Sequence, residues 1–420
     1  DLVTVEKDTS LYFRKRYLAY PLKAKDLFLA LNPVVAVLCG VDFVKTRVLR
    51  RMGVRGDDAT FRGWVTSRYG SKLFGIYFGP YAEKVWGVPA DELSSEELAR
   101  RVTTISLWEV VTGAVRELIG LARLRRARYD QQPATFVYGK SGSATLVGHL
   151  KRVTEDLGTD YRTGSEVVGV GLEDGTRRVS SVVVRGASGE EERVGCDHLV
   201  MTIPIGPYAR LLADAAGEPD DAPVRAAAKG LRYRAMVIVN LKVARPQVFD
   251  AQWVYFSGPE FVFNRVNEYK HFWPALAPEG HTGLGCEITC FVGDDTWTAD
   301  DEDLAAVVIR DAVALGAVTE DEVVGWTVSR VANAYPIFDI RTADNLKTVL
   351  EFAATFPNVS VAGRQAEFRY VNTDEAVYSG FQAAEAACAA RSGRTPEPVE
   401  DWAGGGGAAV GQEQALRAAE

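Results

Sequence analysis

The stretch VAGRQAEFRYVNTDEAVYSG, Val361 to Gly380, puts a short apolar run, a Gly-Arg pair, spaced aromatics and a Thr-Asp pair into one window. The residues VSVAG read as a buried strand that delivers the chain to the carboxyl edge of a sheet. Gly363 permits close backbone approach there, and Arg364 offers a fork of donors suited to phosphate. Phe368 and Tyr370 alternate with Arg369, so the spacing predicts two aromatics on one face, against a flat ligand. Asn372, Thr373 and Asp374 then supply N-cap chemistry for a helix whose expected packing face is Ala376, Val377, Gly380, Phe381 and Ala384. Strand, glycine, arginine and helix N-terminus together describe a site for an anion or a dipolar ring. The same residues also fit a plain strand–helix unit with a surface arginine and core aromatics.

Outward from this window, the 420-residue chain is 47% hydrophobic and 25% charged, enough for two packed domains. No apolar run is long enough to span a bilayer; Val34 to Val44 is short and carries Asp42. The five cysteines are scattered without a CxxC, which argues against a disulfide framework and points to a reducing cytoplasm. Cys286 and Cys290 share one face of the strand-like GLGCEITCF and read as buried small hydrophobes. The four histidines form no HxxxH or HExxH pair, so a metal centre has no support. A net charge of -8 gives no case for nucleic acid. The basic cluster ARLRRARY, Ala122 to Tyr129, suits a solvated helix end. Because residue 1 is Asp, a cleaved signal peptide or an incomplete amino-terminal part is expected.

The pattern along the chain divides it. SLYFRKRYLAYPL, Ser10 to Leu22, reads as a hairpin broken at Lys15. Lys23–Arg51, Thr60–Trp86 and Ser94–Arg128 carry helical periodicity. GKSGSATLVGHLKRVTEDLG is a loop feeding an amphipathic helix, and Thr163 to Pro204 form a β-meander returning into a strand that ends at Thr202 to Pro204. RAMVIVNLKV, WVYFSG, FVFNRVNEY and GLGCEITCF predict an antiparallel sheet, backed by a helix near Asp301 to Leu315. VVGWTVSRV adds a strand, NAYPIFDI a turn and TADNLKTVLEFAATF a helix. After Arg391 the composition turns to that of a disordered tail, 392–420. GKS at Gly139 lacks the glycine of a P-loop, and no GxGxxG is present, so the chain shows no dinucleotide fingerprint of its own.

The window at Gly363 resembles the carboxyl-terminal flavin-binding segment of the FAD-dependent superfamily that holds protoporphyrinogen-oxidase-like and amine-oxidase-like enzymes and UDP-galactopyranose mutases. YFRKRYLAYPLK, FGPYAEKVWGVPADELS, RTGSEVVGV, LVMTIPI, FNRVNEYKHF and NAYPIFD resemble family segments in the same order, so the likeness runs from Asp1 to Arg391. It implies an α/β (α+β overall) flavoprotein: a Rossmann-like FAD domain, incomplete at its N-terminus, with an inserted substrate domain of helices and antiparallel sheet. The FAD domain would comprise 1–22, 130–215 and 326–391; the helical part of the substrate domain 23–129; its sheet part 216–325.

The resemblance also implies roles. Val167 and Val168 would meet the adenine end, Thr202 and Pro204 would line the cofactor edge, and Gly363 and Arg364 would approach flavin and pyrophosphate. The helix opening at Asn372, Thr373 and Asp374 would point at the isoalloxazine C2 carbonyl. Lys84, Trp86, Arg265 and Tyr370 would be candidates for the substrate cavity. The family's GxGxxG unit precedes the segment that Asp1 begins, so roughly 80 to 100 upstream residues are expected. Ala82 replaces the usual Thr of the PYTEK box, and Thr373 stands where Met is common.

The implied chemistry is hydride transfer from a small-molecule substrate to flavin N5. A second reading is a UDP-galactopyranose mutase-like isomerase, suggested by AEFRY and RVNEYKHF; a third is a flavin-free fragment or scaffold. Expected partners are the small-molecule substrate and either a second copy in a homo-oligomer or a separate chain carrying the N-terminal segment.

Overall fold

The computed structural model describes residues 1–19, 30–54, 56–99, 135–397 and 399. The chain opens with β1 (Leu2–Glu6), β2 (Thr9–Phe13) and β3 (Arg16–Ala19). The β2–β3 hairpin turns on Arg14 and Lys15, both at positive φ (50° and 61°). Paired left-handed residues match the right-handed twist of the flanking strands, which is why the break falls at Lys15.

Helix α1 (Pro33–Arg51) starts where Asn32 Oδ1 accepts the Val34 N–H at 2.9 Å and Pro33 fixes the first turn. The expected helix from Thr60 to Trp86 is divided: α2 (Phe61–Tyr69) stops at Gly70, whose φ of 89° is left-handed. The chain then runs through a π-helical turn, Phe74–Phe78, into α3 (Gly79–Trp86), with Pro80 in its first turn. α4 (Ser95–Ala99) comes next; the rest of the expected helix to Arg128 lies outside the described residues. After β4 (Thr135–Gly139) comes α5 (Ala144–Asp156), which is helical as expected but buries none of its side chains.

The meander is β5 (Glu166–Leu172), β6 (Val179–Arg185) and β7 (Glu191–Gly195), and it leads to β8 (Leu199–Met201). Helices α6 (Ile205–Ala215) and α7 (Pro223–Gly230) precede β9 (Tyr233–Val243), β10 (Trp253–Phe256), β11 (Arg265–Glu268) and β12 (Thr282–Cys290). α8 (Asp301–Ala314), β13 (Val323–Pro336), α9 (Thr342–Ala353), β14 (Val359–Val361) and α10 (Thr373–Ser392) complete the order. NAYP is strand rather than turn: a register shift between Val331 and Tyr335 lets β13 resume pairing, Tyr335 opposite Arg234.

The chain forms two units. The first joins Asp1–Tyr161 to Tyr233–Thr342. Its seven-stranded sheet has the order β13-β9-β12-β11-β10-β2-β3, antiparallel throughout except where β2 lies parallel to β10. One face is apolar at every second position: Ala235, Val237, Val239, Leu241 and Val243 on β9, and Leu284, Cys286, Ile288 and Cys290 on β12. α8 covers this face through Leu304, Ala305, Val308 and Ala312. Both cysteines therefore sit in the core, where burial pushes the Cys286 and Cys290 thiols up.

The second unit joins Arg162–Arg232 to Ala343–Glu420. It holds the β5–β6–β7 meander and a parallel pair, β8–β14. Asn358, fully buried just before β14, ties the two: its Oδ1 accepts the Val179 N–H at 2.9 Å, and its Nδ2 donates to the carbonyls of Val179 and Asp197 at 2.7 and 2.8 Å. Beyond α10, residues 393–397 return along the helix, with Arg394 and the Glu397 N–H both bound to the Glu385 carboxylate. The remainder of the expected tail, apart from 399, lies outside the described residues. Residues 1–19 and 135–161 fall in the unit of the antiparallel sheet, with β2 bonded to β10 and β1 to β4. Among the described residues no helix is long and apolar enough to cross a membrane.

Candidate functional site

In the second unit, β8 and β14 run parallel with Val359 opposite Leu199 and Val361 opposite Met201. Parallel strands end at the same edge, so the loops leaving their carboxyl ends are brought together. The Ala362 N–H donates to the Met201 carbonyl at 3.0 Å and the Ile205 N–H to the Gln365 carbonyl at 3.2 Å. Thr202 and Pro204 thereby stand beside Gly363 and Arg364. Gly363 has a φ of 86°, and a Cβ there would meet no atom within 4 Å. The glycine is demanded by backbone conformation, at about 1 kcal/mol for an L side chain, in front of open space.

Behind Gly363 the geometry is tied down. Its N–H donates to Ser379 Oγ at 2.9 Å, and Ser379 donates in turn to Glu367. Ser379 and Ala383 are the buried positions along this part of α10; of the expected packing face, Ala376 and Val377 are half-buried and Gly380, Phe381 and Ala384 are exposed, which corrects it. The helix is rich in alanine, so apolar periodicity marks no side strongly, and the serine's hydrogen bonds set the rotation. Asn372 caps α10 in a capping box with Glu375, whose Oε2 accepts the Asn372 N–H at 2.9 Å. Thr373 and Asp374 open the helix, both exposed.

Between strand and helix the two aromatics part company. Phe368 is fully buried, with a φ of 50°, and is a core residue rather than a ligand platform. The segment is a series of turns, so strand alternation does not apply to it. Tyr370 instead lies under the Arg364 guanidinium, 4.1 Å from ring centroid to Cζ. Val167 and Val168 stand on the meander, where a register shift leaves Val168 without a partner residue on β6.

The other three candidates belong to the first unit. Lys84 is spent inside the fold: Nζ donates to the Phe256 and Gly258 carbonyls at 3.2 and 2.6 Å. Burial pulls its pKa down to about 8, against the pull of Glu260 and Asp311. Trp86 is buried and meets Tyr335 edge-on at 6.3 Å. Arg265 pairs with Glu287, directly opposite on β12, in a two-point fork of 2.8 and 2.6 Å. Although burial disfavours its charge, the Glu287 carboxylate beside it, with Tyr335 near, holds the arginine above its ordinary pKa.

Arg265 and Glu287 belong to a polar row on the sheet face turned away from the apolar core. Asn267 Nδ2 donates to Glu287 at 2.8 Å, and the Tyr269 hydroxyl donates to Asn240 at 2.6 Å. Tyr269 crosses β12 over Gly283 and Gly285; a Cβ on Gly285 would stand 2.2 Å from its hydroxyl. The motifs of the sequence do not single out Glu287, although a lone acid in the apolar strand GLGCEITCF is itself a signal. Nor do they single out Arg234, which lies against Gly87, donates to the Val85 and Thr289 carbonyls at 3.2 and 3.0 Å, and so fixes the end of α3 to the sheet.

The family model for flavin containing amine oxidoreductases matches residues 73–388. The chain belongs to this family. Membership of the flavin containing amine oxidoreductases implies an enzyme with a flavin cofactor. Among solved structures, reduced UDP-galactopyranose mutase is 19% identical, covering 93% of this chain and 78% of that one, with a TM-score of 0.73. A protein assigned as a protoporphyrinogen oxidase, from Exiguobacterium sp. 255-15, is 18% identical over 93% of this chain and 81% of its own, with a TM-score of 0.63. A putrescine oxidase redesigned in its cofactor binding is 13% identical over 92% and 83%, with a TM-score of 0.53. At these identities the likeness is one of fold, and that fold is shared by oxidases and a mutase. No curated protein matches the sequence.

Proposed function

We propose that this family member is an FAD-dependent oxidoreductase of the amine oxidase and protoporphyrinogen oxidase type, acting on a small molecule in the cytoplasm. The observation that carries the reading is the shared edge of β8 and β14, with Gly363 in left-handed conformation before open space and Asn372 opening α10 nine residues later. When bound, FAD supplies hydride acceptance at N5. In this reading Thr202, Pro204 and the Gly363 backbone line the edge of the cofactor, and Arg364, stiffened on Tyr370, supplies positive charge toward its pyrophosphate. Thr373 and Asp374 present the positive end of α10 to the flavin ring, favouring negative charge there. Val168, out of register on β5, offers backbone groups to the adenine.

The mutase-like reading needs cationic side chains to clamp a diphosphate. Arg265 is already neutralised by Glu287, and this favours the oxidoreductase reading. The test is to purify the protein, denature it and chromatograph the released cofactor. Released FAD together with substrate-dependent reduction of the bound flavin supports the proposal. Released FAD with interconversion of UDP-sugars and no net reduction selects the mutase, and no released FAD selects a flavin-free scaffold.

A further inference from the structure

Gly363 has no side chain to anchor it, and hydrogen bonds from behind hold its left-handed conformation. Its N–H donates to Ser379 Oγ at 2.9 Å, and its carbonyl accepts the Glu367 N–H at 3.0 Å. Ser379 donates onward to Glu367 Oε1, and Glu367 Oε2 accepts from Arg369 Nη1 at 3.2 Å. The Arg369 N–H closes the turn on the Arg364 carbonyl at 3.1 Å. Both backbone groups of the glycine and the carbonyl of the arginine after it are thus tied into one network with the Ser379 hydroxyl and the Glu367 carboxylate. Packing alone would select neither side chain. Ser379 is 2% exposed on a helix whose other buried residues are Ala383 and Ala389. An alanine there would fill nearly the same space and is the better helix former. Glu367 keeps only 15% of its side chain exposed, and a carboxylate withdrawn from water is costly unless its oxygens are bonded. What the hydroxyl and the carboxylate share is the turn at Gly363.

We propose that Ser379 and Glu367 are positioning residues for cofactor binding: together they hold Gly363 at the cofactor edge and so aim Arg364, the group that carries positive charge toward the pyrophosphate. Each acts through the turn rather than on the ligand. A left-handed glycine is the most freely reorganised residue in a chain, and fixing its backbone before binding removes an ordering cost that the ligand would otherwise meet. Arg364 is held twice, by its carbonyl to the Arg369 N–H and by its guanidinium stacked on Tyr370, so its direction follows the turn. Arg369, with 40% of its side chain exposed, balances the Glu367 charge, so the network adds no uncompensated negative charge beside a site for an anion. The inference rests on the flavin reading and adds to it the residues that set the shape of the site.

The test is the dissociation constant for FAD of the purified protein freed of flavin, by equilibrium dialysis, with urea unfolding measured alongside to separate affinity from stability. Ser379→Ala is expected to weaken FAD binding about tenfold in protein that remains folded. Glu367→Leu should match it, whereas Glu367→Gln, whose amide oxygen still accepts from Ser379, should stay near the wild type. The double variant Ser379→Ala with Glu367→Leu should be no weaker than either single one, because the two act as a unit. In an Arg364→Ala background Ser379→Ala should have little further effect, which a contact serving only the stability of the fold does not predict. A lowered unfolding midpoint with unchanged FAD affinity overturns the proposal. So does a Ser379→Ala loss that is equally large with and without Arg364. If Ser379→Ala does not fold, the two Glu367 variants decide, and equal affinities for them overturn it. A wild type that takes up no FAD removes the flavin reading itself and this inference with it.

Discussion

Arg265 and Glu287 occupy directly opposed positions on β11 and β12, and the guanidinium and carboxylate meet in a two-point fork at 2.8 and 2.6 Å. Glu287 is almost wholly buried, so its removal strands a positive charge in the fold. Glu287→Ala is expected to destabilise the protein by about 3 kcal/mol in urea unfolding. A double variant with leucine at both positions should recover much of that loss, since an apolar pair leaves no charge uncompensated.

Lys84 gives a pH signature. Its folded pKa is about 8 against an ordinary 10.5, so between these values the unfolded chain holds a proton that the folded chain has released. Stability contributed at this site therefore rises with pH from about 8 to 10.5. Lys84→Met should abolish that rise in chemical unfolding midpoints.

His271 works with the opposite sign. Its contact with the buried Glu268 carboxylate, Nε2 lying 3.6 Å from Oε2, and its 2.7 Å contact to the Phe249 carbonyl raise its pKa above 6.5. The stabilisation is complete below pH 6.5 and is lost as pH rises through the folded value. His271→Ala should thus cost most in mild acid, and its deficit should shrink toward pH 9 when unfolding is tracked across that range.

Asn358 satisfies three backbone groups around β14 from a fully buried position. Asn358→Ala removes this partner from the Val179 N–H and carbonyl and leaves the Asp197 carbonyl with the Arg178 guanidinium alone, at 3.3 Å, and a loss of about 3 kcal/mol is expected in thermal or urea unfolding. The amide hydrogen of Val179 should lose its exchange protection in the same variant.

Arg364→Ala tests the cofactor assignment. The variant removes the guanidinium stacked on Tyr370, and a tenfold or greater loss in flavin retention, about 1.4 kcal/mol, is expected in equilibrium dialysis. Unchanged retention and turnover would remove Arg364 from the site.

The strands are legible in the sequence because their signal is local. RAMVIVNLKV and GLGCEITCF are short, strongly apolar runs, and every second residue of each, from Ala235 to Val243 and from Leu284 to Cys290, is buried. The edge carrying Gly363 is legible for the same reason: a glycine after a short apolar strand implies a tight turn, whichever residues come next. Phe368 is misleading because positive φ is not written in a phenylalanine, and its neighbours suggest a strand. The Ala-rich α10 hides its own rotation. Lys84 looks like a cavity residue, yet its acceptors lie 172 and 174 positions away in sequence, beyond the reach of any local pattern.

The parallel placement of β2 beside β10 bears on how the protein is made. Strand β2 emerges from the ribosome well before β10, its neighbour in the sheet, which lies some 244 positions later. The segment between them contains 162–232, which must wait in turn for β14 to pair with β8. Neither unit can be completed as a short autonomous piece, so closure is deferred until most of the chain has been synthesised. It is therefore the nascent chain, rather than the finished fold, that leaves these strand edges unpaired for longest.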